Sequence, residues 1–170
     1  YKKKIDLTIL RPATVCGYSP SMRLDVAVNA LTFNALKNNK IKVFGGRQIR
    51  PNLNMYDMVN AYVFSIQRKF KKNRKVKDTI FNVGFENLSI IDIAKRINRC
   101  LLKKYKIDIL KSNDPRSYRQ DSSRILAIGF RPQKKIEDAI LDIKDKFLQN
   151  KIKNHKKFYR VNTLKMIKIS

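Results

Sequence analysis

Short β-branched stretches alternate along this chain with longer helical ones, and that alternation constrains the fold more than any other feature. Ile5–Leu10 is apolar and β-branched, and Arg11-Pro12 closes it. Residues 25–37 place Val26, Leu31, Ala35 and Leu36 near one side of a helix. Lys40–Phe44 alternates polar and apolar, Gly45-Gly46 turns the chain, and Gln48–Arg50 can return as a short hairpin strand. Asn54–Phe70 predicts a helix with Met58, Ala61, Tyr62 and Ser65 at helical spacing, and the basic run after it reads as a surface loop.

The second half repeats the pattern. Thr79–Val83 is a strand candidate, and Gly84 to Leu88 reads as a turn. Ser89 and Asp92 have the spacing of a capping box ahead of a helix carrying Ile90, Ile93, Ala94 and Ile97. Ile107–Leu110 is a third strand. Asp121 can cap a short helix through Leu126, Gly129 suits its left-handed end, and Pro132 lies just beyond. Ile136, Ala139, Ile140, Ile143 and Phe147 mark a final amphipathic helix. The expectation is an α/β or α+β chain with four or five helices and no internal repeat.

Composition matters where it excludes functions. The 170 residues carry 39 Lys+Arg against 13 Asp+Glu, a formal charge of +26, which points first to nucleic acid. The basic residues are nevertheless spread widely, Lys, Ile and Asn dominate the composition, and Trp is absent. No zinc-finger or RNA-recognition signature and no alternation of aromatic with basic residues accompanies them. A solvated, compositionally biased surface therefore reads better than a nucleic-acid site, and a basic nucleic-acid-binding protein stays as the alternative. The apolar runs fall well short of the ~20 residues of a membrane span, so no membrane partner is expected. No leader is expected from Tyr1–Asp6, and the missing initiator Met suggests a start partway through something longer. Cys16 and Cys100 make neither a disulfide framework nor a zinc site, and a reducing, cytoplasmic setting is the simplest expectation. The single histidine, His155, sits in a basic tail without a partnering pattern.

The chain offers no self-contained catalytic set. It has no glycine-rich dinucleotide loop, no phosphate loop, and no Tyr followed four residues later by Lys. It does offer polar loops next to strands, where open α/β sheets bind ligands. Thr14 presents a hydroxyl after the first strand. Arg50, after the Gly-Gly turn, could clamp a phosphate or carboxylate. Arg116 and Arg119 lie in Asn113-Asp114-Pro115-Arg116-Ser117-Tyr118-Arg119, just before a capped helix. Taken singly, such arginines are more often surface residues than ligands. Asp57 and Asp121 fit capping or orienting roles better than catalytic ones.

The order of four motifs adds more. Leu10-Arg11-Pro12-Ala13-Thr14-Val15-Cys16-Gly17 resembles the Leu-Arg-Pro-x-x-Val-Tyr-Gly of extended short-chain dehydrogenase/reductases, with Cys16 in place of Tyr. Arg50-Pro51-Asn52-Leu53-Asn54-Met55-Tyr56-Asp57-Met58 resembles their Arg-x-x-x-His-Val-x-Asp-Val, with Asn54 in place of His. Phe81-Asn82-Val83-Gly84 with Ser89–Ala94, then Asp121–Arg124 with Ile128–Pro132, follow in the family's order, so the likeness spans about residues 5–145.

The resemblance implies the C-terminal part of a Rossmann-type sheet plus the small α/β substrate-binding domain of an NAD-dependent nucleotide-sugar epimerase or dehydratase. Residues 1–20 would end the Rossmann half, 21–150 would be mostly substrate-binding, and 151–170 would be a basic tail. It implies NAD or NADP in the parent enzyme, bound mostly by a Rossmann half outside this chain, and it allows a homodimeric parent. Pro12 and Ala13 would lie near the nicotinamide, and Thr14 and Arg50 near the diphosphate of the nucleotide sugar. Asn29 would border the nucleotide, although an ordinary helix-surface amide fits it equally well. Arg116 would hold the nucleotide, with Arg119 a competing choice, and no catalytic residue is carried over. Alone, such a chain would be inactive and would leave a sheet edge open.

Overall fold

The computed structural model describes residues 7–68, 79–152 and 158–159. The basic run 69–77, His155 and most of the tail from 153 onward lie outside the described residues, as does the start of the first expected strand. The elements are β1 (Ile9–Pro12), β2 (Thr14–Cys16), α1 (Ala27–Asn38), β3 (Lys40–Phe44), β4 (Ile49–Asn54), α2 (Met55–Gln67), β5 (Ile80–Val83), β6 (Glu86–Ser89), α3 (Ile90–Cys100), β7 (Lys106–Leu110), α4 (Ser123–Ala127) and α5 (Ile136–Leu148). The architecture is α/β, as the alternation predicts.

The described residues form three small sheets. β1 pairs in parallel with β5, β3 pairs in parallel with β7, and β4 lies between parallel β2 and antiparallel β6. Parallel strands need long crossovers, and helices supply them here. Arg11-Pro12 does close the first strand, but as its last two residues and not beyond it. β1 runs through Pro12, and a single residue, Ala13, separates it from β2. The Ala13 amide still donates to Val83 O at 2.8 Å, so the ladder with β5 continues up to the point where the chain changes sheets. The segment read as a loop after the first strand thus contains β2.

The same device recurs at Gly84, where the chain leaves β5 for β6. Residues 84–88 are therefore not simply a turn. A β-carbon at Gly84 would collide with Ala13 Cβ and the Gln120 side-chain oxygen, so only glycine lets the two crossings lie side by side. Ser122 locks the second crossing. Its hydroxyl accepts from Gly84 N at 3.0 Å and donates to Gly84 O at 2.8 Å.

The expected hairpin after Lys40–Phe44 does not form. Gly45 and Gly46 adopt positive φ (79° and 110°), and the Gln48 amide bridges the turn to Phe44 O and Gly46 N. β3 keeps β7 as its partner, while β4 departs to the β2–β4–β6 sheet. The alternation in β3 explains the choice. Ile41 and Val43 are fully buried in the core formed by α1, α3 and α5, and Lys40, Lys42 and Phe44 face outward.

A second core gathers α2, α4, β1 and β5 around Leu53, Met58, Phe81, Val83, Ile125 and Phe130. It joins β1 to elements from well beyond residue 20, so the first strand packs with the later chain. Asn54 caps α2 by accepting from Tyr56 N at 2.9 Å. Ser89 caps α3 from Asp92 N at 3.2 Å, as its spacing predicts. Asp121 acts one position earlier than expected on α4, accepting from Ser123 N at 2.8 Å, and the residue directly before the helix is Ser122.

Asp57 is fully buried, and its carboxylate accepts from Gln133 N at 2.9 Å and Lys134 N at 3.0 Å. It fastens α2 to the segment that leads into α5. Asp57→Ala leaves two backbone donors unpaired, so we expect a loss of about 3 kcal/mol. Urea unfolding of the two proteins checks this, and an unchanged midpoint would show the contact to be dispensable.

Candidate functional site

An open cleft of about 1150 Å³ lies where the three sheets converge. The Ala13 crossing forms its floor. Pro12, Ala13, Thr14 and Val15 line it from one side, and Arg50 and Pro51 of β4 line it from another. The start of α1 contributes Val26, Ala27 and Ala30. Val26 supplies no side-chain cap to α1. Free amides at a helix start favour an anion.

The last wall is the segment from Ser112 to Asp121. Its second part is tied down along the sheets. Ser117 Oγ accepts from Ile49 N at 3.0 Å, and Tyr118 N donates to Ile49 O at 3.3 Å. Gln120 and Asn87 exchange two amide bonds, Gln120 N to Asn87 Oδ1 at 2.9 Å and Asn87 Nδ2 to Gln120 O at 3.1 Å. Gln120 also donates to Arg11 O at 2.9 Å, next to the crossing.

This wall brings the two expected arginines together. Arg50 has little exposure, its side chain being 13% accessible, and it is held at several points. Nη1 donates to Ile49 O at 2.9 Å and to Arg116 O, and Nη2 donates to Asp114 Oδ2 at 3.0 Å. Its guanidinium lies over the Tyr118 ring, 5.4 Å from the centroid. Arg116 grips the same Asp114 with a fork, Nε to Oδ1 at 2.7 Å and Nη2 to Oδ2 at 2.8 Å. These bonds from Arg116 hold the Asp114 carboxyl well below the usual carboxylate range, and Arg50 adds to the effect.

Pro12, Ala13, Thr14, Arg50 and Arg116 therefore share one cleft, and Arg119 lines it too. Asn29 does not line it. Asn29 is buried, accepts from Gly17 N at 3.0 Å and donates to Arg23 O at 2.9 Å, so both ends of its amide close the loop ahead of α1. Sequence reasoning passed over Asp114 and Tyr118 as partners of Arg50. Asp114 stands two residues before Arg116, a spacing that allows a fork, but its contact with Arg50 spans 64 positions.

Cys16 and Asn54, the two departures from the family pattern, lie off the cleft. Cys16 is fully buried and its thiol donates to Leu53 O at 3.4 Å. Burial, with the charge of Glu86 adding to it, pushes that thiol up to about 12. Among the described residues no cluster of His, Cys, Asp or Glu is placed to hold a metal ion, and no helix is long and apolar enough to cross a membrane.

Residues 1–84 match the sequence model of the NAD dependent epimerase/dehydratase family. The fold matches the UDP-glucuronic acid 4-epimerase of Bacillus cereus, solved with UDP-glucuronic acid and NAD, at 25% identity and a TM-score of 0.66, over 84% of this chain and 45% of that one. It also matches the UDP-N-acetylglucosamine 4-epimerase of Methanobrevibacter ruminantium in complex with UDP-N-acetylmuramic acid (18% identity, TM-score 0.68, 83% of this chain and 46% of that one). A third match is the dTDP-glucose 4,6-dehydratase of Bacillus anthracis in complex with NAD (17%, 0.63, 90% and 46%). The chain spans less than half the length of each of these structures.

The burial of Cys16 has a chemical consequence. At pH 8 a thiol reagent should modify the partly exposed Cys100 in the native protein and reach Cys16 only after denaturant is added. Two equally fast thiols in the native protein, counted by mass spectrometry, would contradict the placement of Cys16.

Proposed function

We propose that this chain, which falls in the NAD dependent epimerase/dehydratase family over residues 1–84, supplies the nucleotide-sugar-binding part of an NAD(P)-dependent epimerase or dehydratase. The observation that carries the reading is the convergence of Arg50 and Arg116 on one carboxylate beside the Thr14 strand, in a cleft large enough for a nucleotide sugar. A pair of guanidinium groups around an anion is what recognition of a diphosphate requires. The open start of α1 lies in the same cleft and favours the same charge.

In this reading Thr14 and Arg50 meet the diphosphate, and Arg116, beside Arg50, holds the nucleotide. Asn29 acts by closing the loop that brings α1 to the cleft. Pro12 and Ala13 face the nicotinamide. The fit to NAD is that of an edge: an apolar pair at the strand crossing, with the buried Gln120 Oε1 beside it lacking a hydrogen-bond partner among the described residues. NAD, when bound, supplies the hydride acceptor. The residues of this chain bind and orient the sugar nucleotide, and the glycine-rich loop and the Tyr-x-x-x-Lys pair belong to a Rossmann half.

Two surfaces support the need for that half. β1 pairs on one side only among the described residues. Helix α2 leaves Tyr56, Val59, Tyr62, Val63 and Ile66 exposed along one stripe, with Ile66 at 83%. An open parallel edge beside an apolar helix face is the surface a continuing sheet and its helices would cover.

The test is calorimetric titration of the full chain with a UDP-sugar. Arg50→Ala should weaken binding by about 1.5–3 kcal/mol, the worth of a charged hydrogen-bonded contact. An unchanged Kd would overturn the assignment of Arg50. A wild-type chain that takes up no UDP-sugar in the presence of its Rossmann half would overturn the function.

A further inference from the structure

We propose that Asp114 is an internal anion that occupies the arginine pair when no ligand is bound, and that it makes the cleft selective for two linked phosphates over one. The proposal rests on the reading of the cleft as a diphosphate site. Its own basis is the way the carboxylate uses up the donors. Arg116 gives Asp114 both Nε and Nη2, and Nη1 has no bond among the described residues. Arg50 gives Nη2 to the same Oδ2 atom, while its Nη1 is taken by Ile49 O and Arg116 O. Two cations and one anion are therefore already matched in geometry, and an incoming phosphate meets a site that is partly neutralised.

A single phosphate must displace the carboxylate to gain the Arg116 fork or Arg50 Nη2, and it replaces one anionic group by another. A diphosphate brings two phosphoryl groups and can serve Arg50 and Arg116 at once, which Asp114 does with a single carboxylate. The exchange needs motion only at the tip of the wall. Residues 117–122 are bonded to β4, β5 and β6 through Ser117, Tyr118, Gln120, Asp121 and Ser122. Asp114 by contrast is bonded, among the described residues, to the two arginines and, through its amide, to Ser112 Oγ at 3.1 Å. Arg116 is 74% exposed at the side chain, so it can follow a ligand without repacking a core. Protonation does not open the site near neutrality, because the arginines hold the Asp114 carboxyl in its charged form.

The experiment titrates the full chain, its Asp114→Asn variant and its Arg50→Ala variant with UDP and with UMP at fixed ionic strength. Asn keeps the shape and the Oδ1 acceptor and removes the charge. In the wild type UDP binds more tightly than UMP. In D114N both bind more tightly and UMP gains more, so the UDP-to-UMP affinity ratio falls about threefold or more, as loss of a partly exposed competing ion pair predicts. Asp114→Ala gives the same direction, which guards against a folding defect in one variant. A D114N protein that binds UDP more weakly, or keeps the wild-type ratio, overturns the proposal. If wild-type UDP binding depends on Arg50 while D114N keeps the ratio, the diphosphate site stands and only the competition is wrong. If neither protein binds either nucleotide, both readings fall.

Discussion

Two residues without room for larger neighbours, Ala13 and Gly84, hold the architecture in register. At each of them one strand ends in the β1–β5 ladder and the next begins in the β2–β4–β6 sheet. The crossings touch, and a side chain at Gly84 would force them apart. Every wall of the cleft is placed relative to this contact. Thr14 follows the first crossing directly, and Arg50 sits on the strand that pairs with both continuations. Ser122 and Gln120 clamp the last wall to the same point, Ser122 through both backbone groups of Gly84 and Gln120 through Arg11 O. The site is rigid at its floor and adjustable only at its rim.

Helices were the legible part of the sequence. α3 and α5 carry regular apolar spacing, and α3 starts where the Ser89 capping-box spacing indicates, because a helix is decided largely by its own residues. Strands were most legible where side chains alternate, as in β3, or form an apolar run, as in β5 and β7. Of β4, only Ile49 and Arg50 fell in an expected strand, and β6, Glu-Asn-Leu-Ser, fell mostly in the expected turn. They become strands because most of their polar groups find partners inside, Asn52 Oδ1 being an exception among the described residues. Asn52 Nδ2 bonds Arg50 O and Glu86 O, and Glu86 accepts from Ile136 N at 2.7 Å while pairing with Arg96 at 3.0 Å. No local pattern announces a partner 30 to 50 positions away.

The candidate site was half legible for a related reason. Pro12, Ala13, Thr14, Arg50 and Arg116 could be singled out one by one, and the structure gathers them. Asn29 was misplaced because a polar residue on a helix looks the same whether it meets a ligand or its own chain. Its two bonds to Gly17 and Arg23 exist only because the preceding loop folds back over it. The charge of the chain also changes meaning. Two arginines in the cleft are matched to a carboxylate with defined geometry, whereas most of the +26 is spread along the sequence.

The ladders also dictate an order of events during synthesis. Ile9 pairs with Ile80, Lys40 with Lys106, and Thr14 with Asn52, and no two strands that are neighbours in the chain pair with each other. None of these sheets can start from a local hairpin. As the chain emerges from the ribosome, β1 must wait for α1, α2 and the three strands β2, β3 and β4 before β5 arrives to pair with it. Such long-range closure slows folding and leaves apolar strands open in the interval. In a nascent chain of this design β1 therefore stays unpaired, and open to association, until its partner β5 is made.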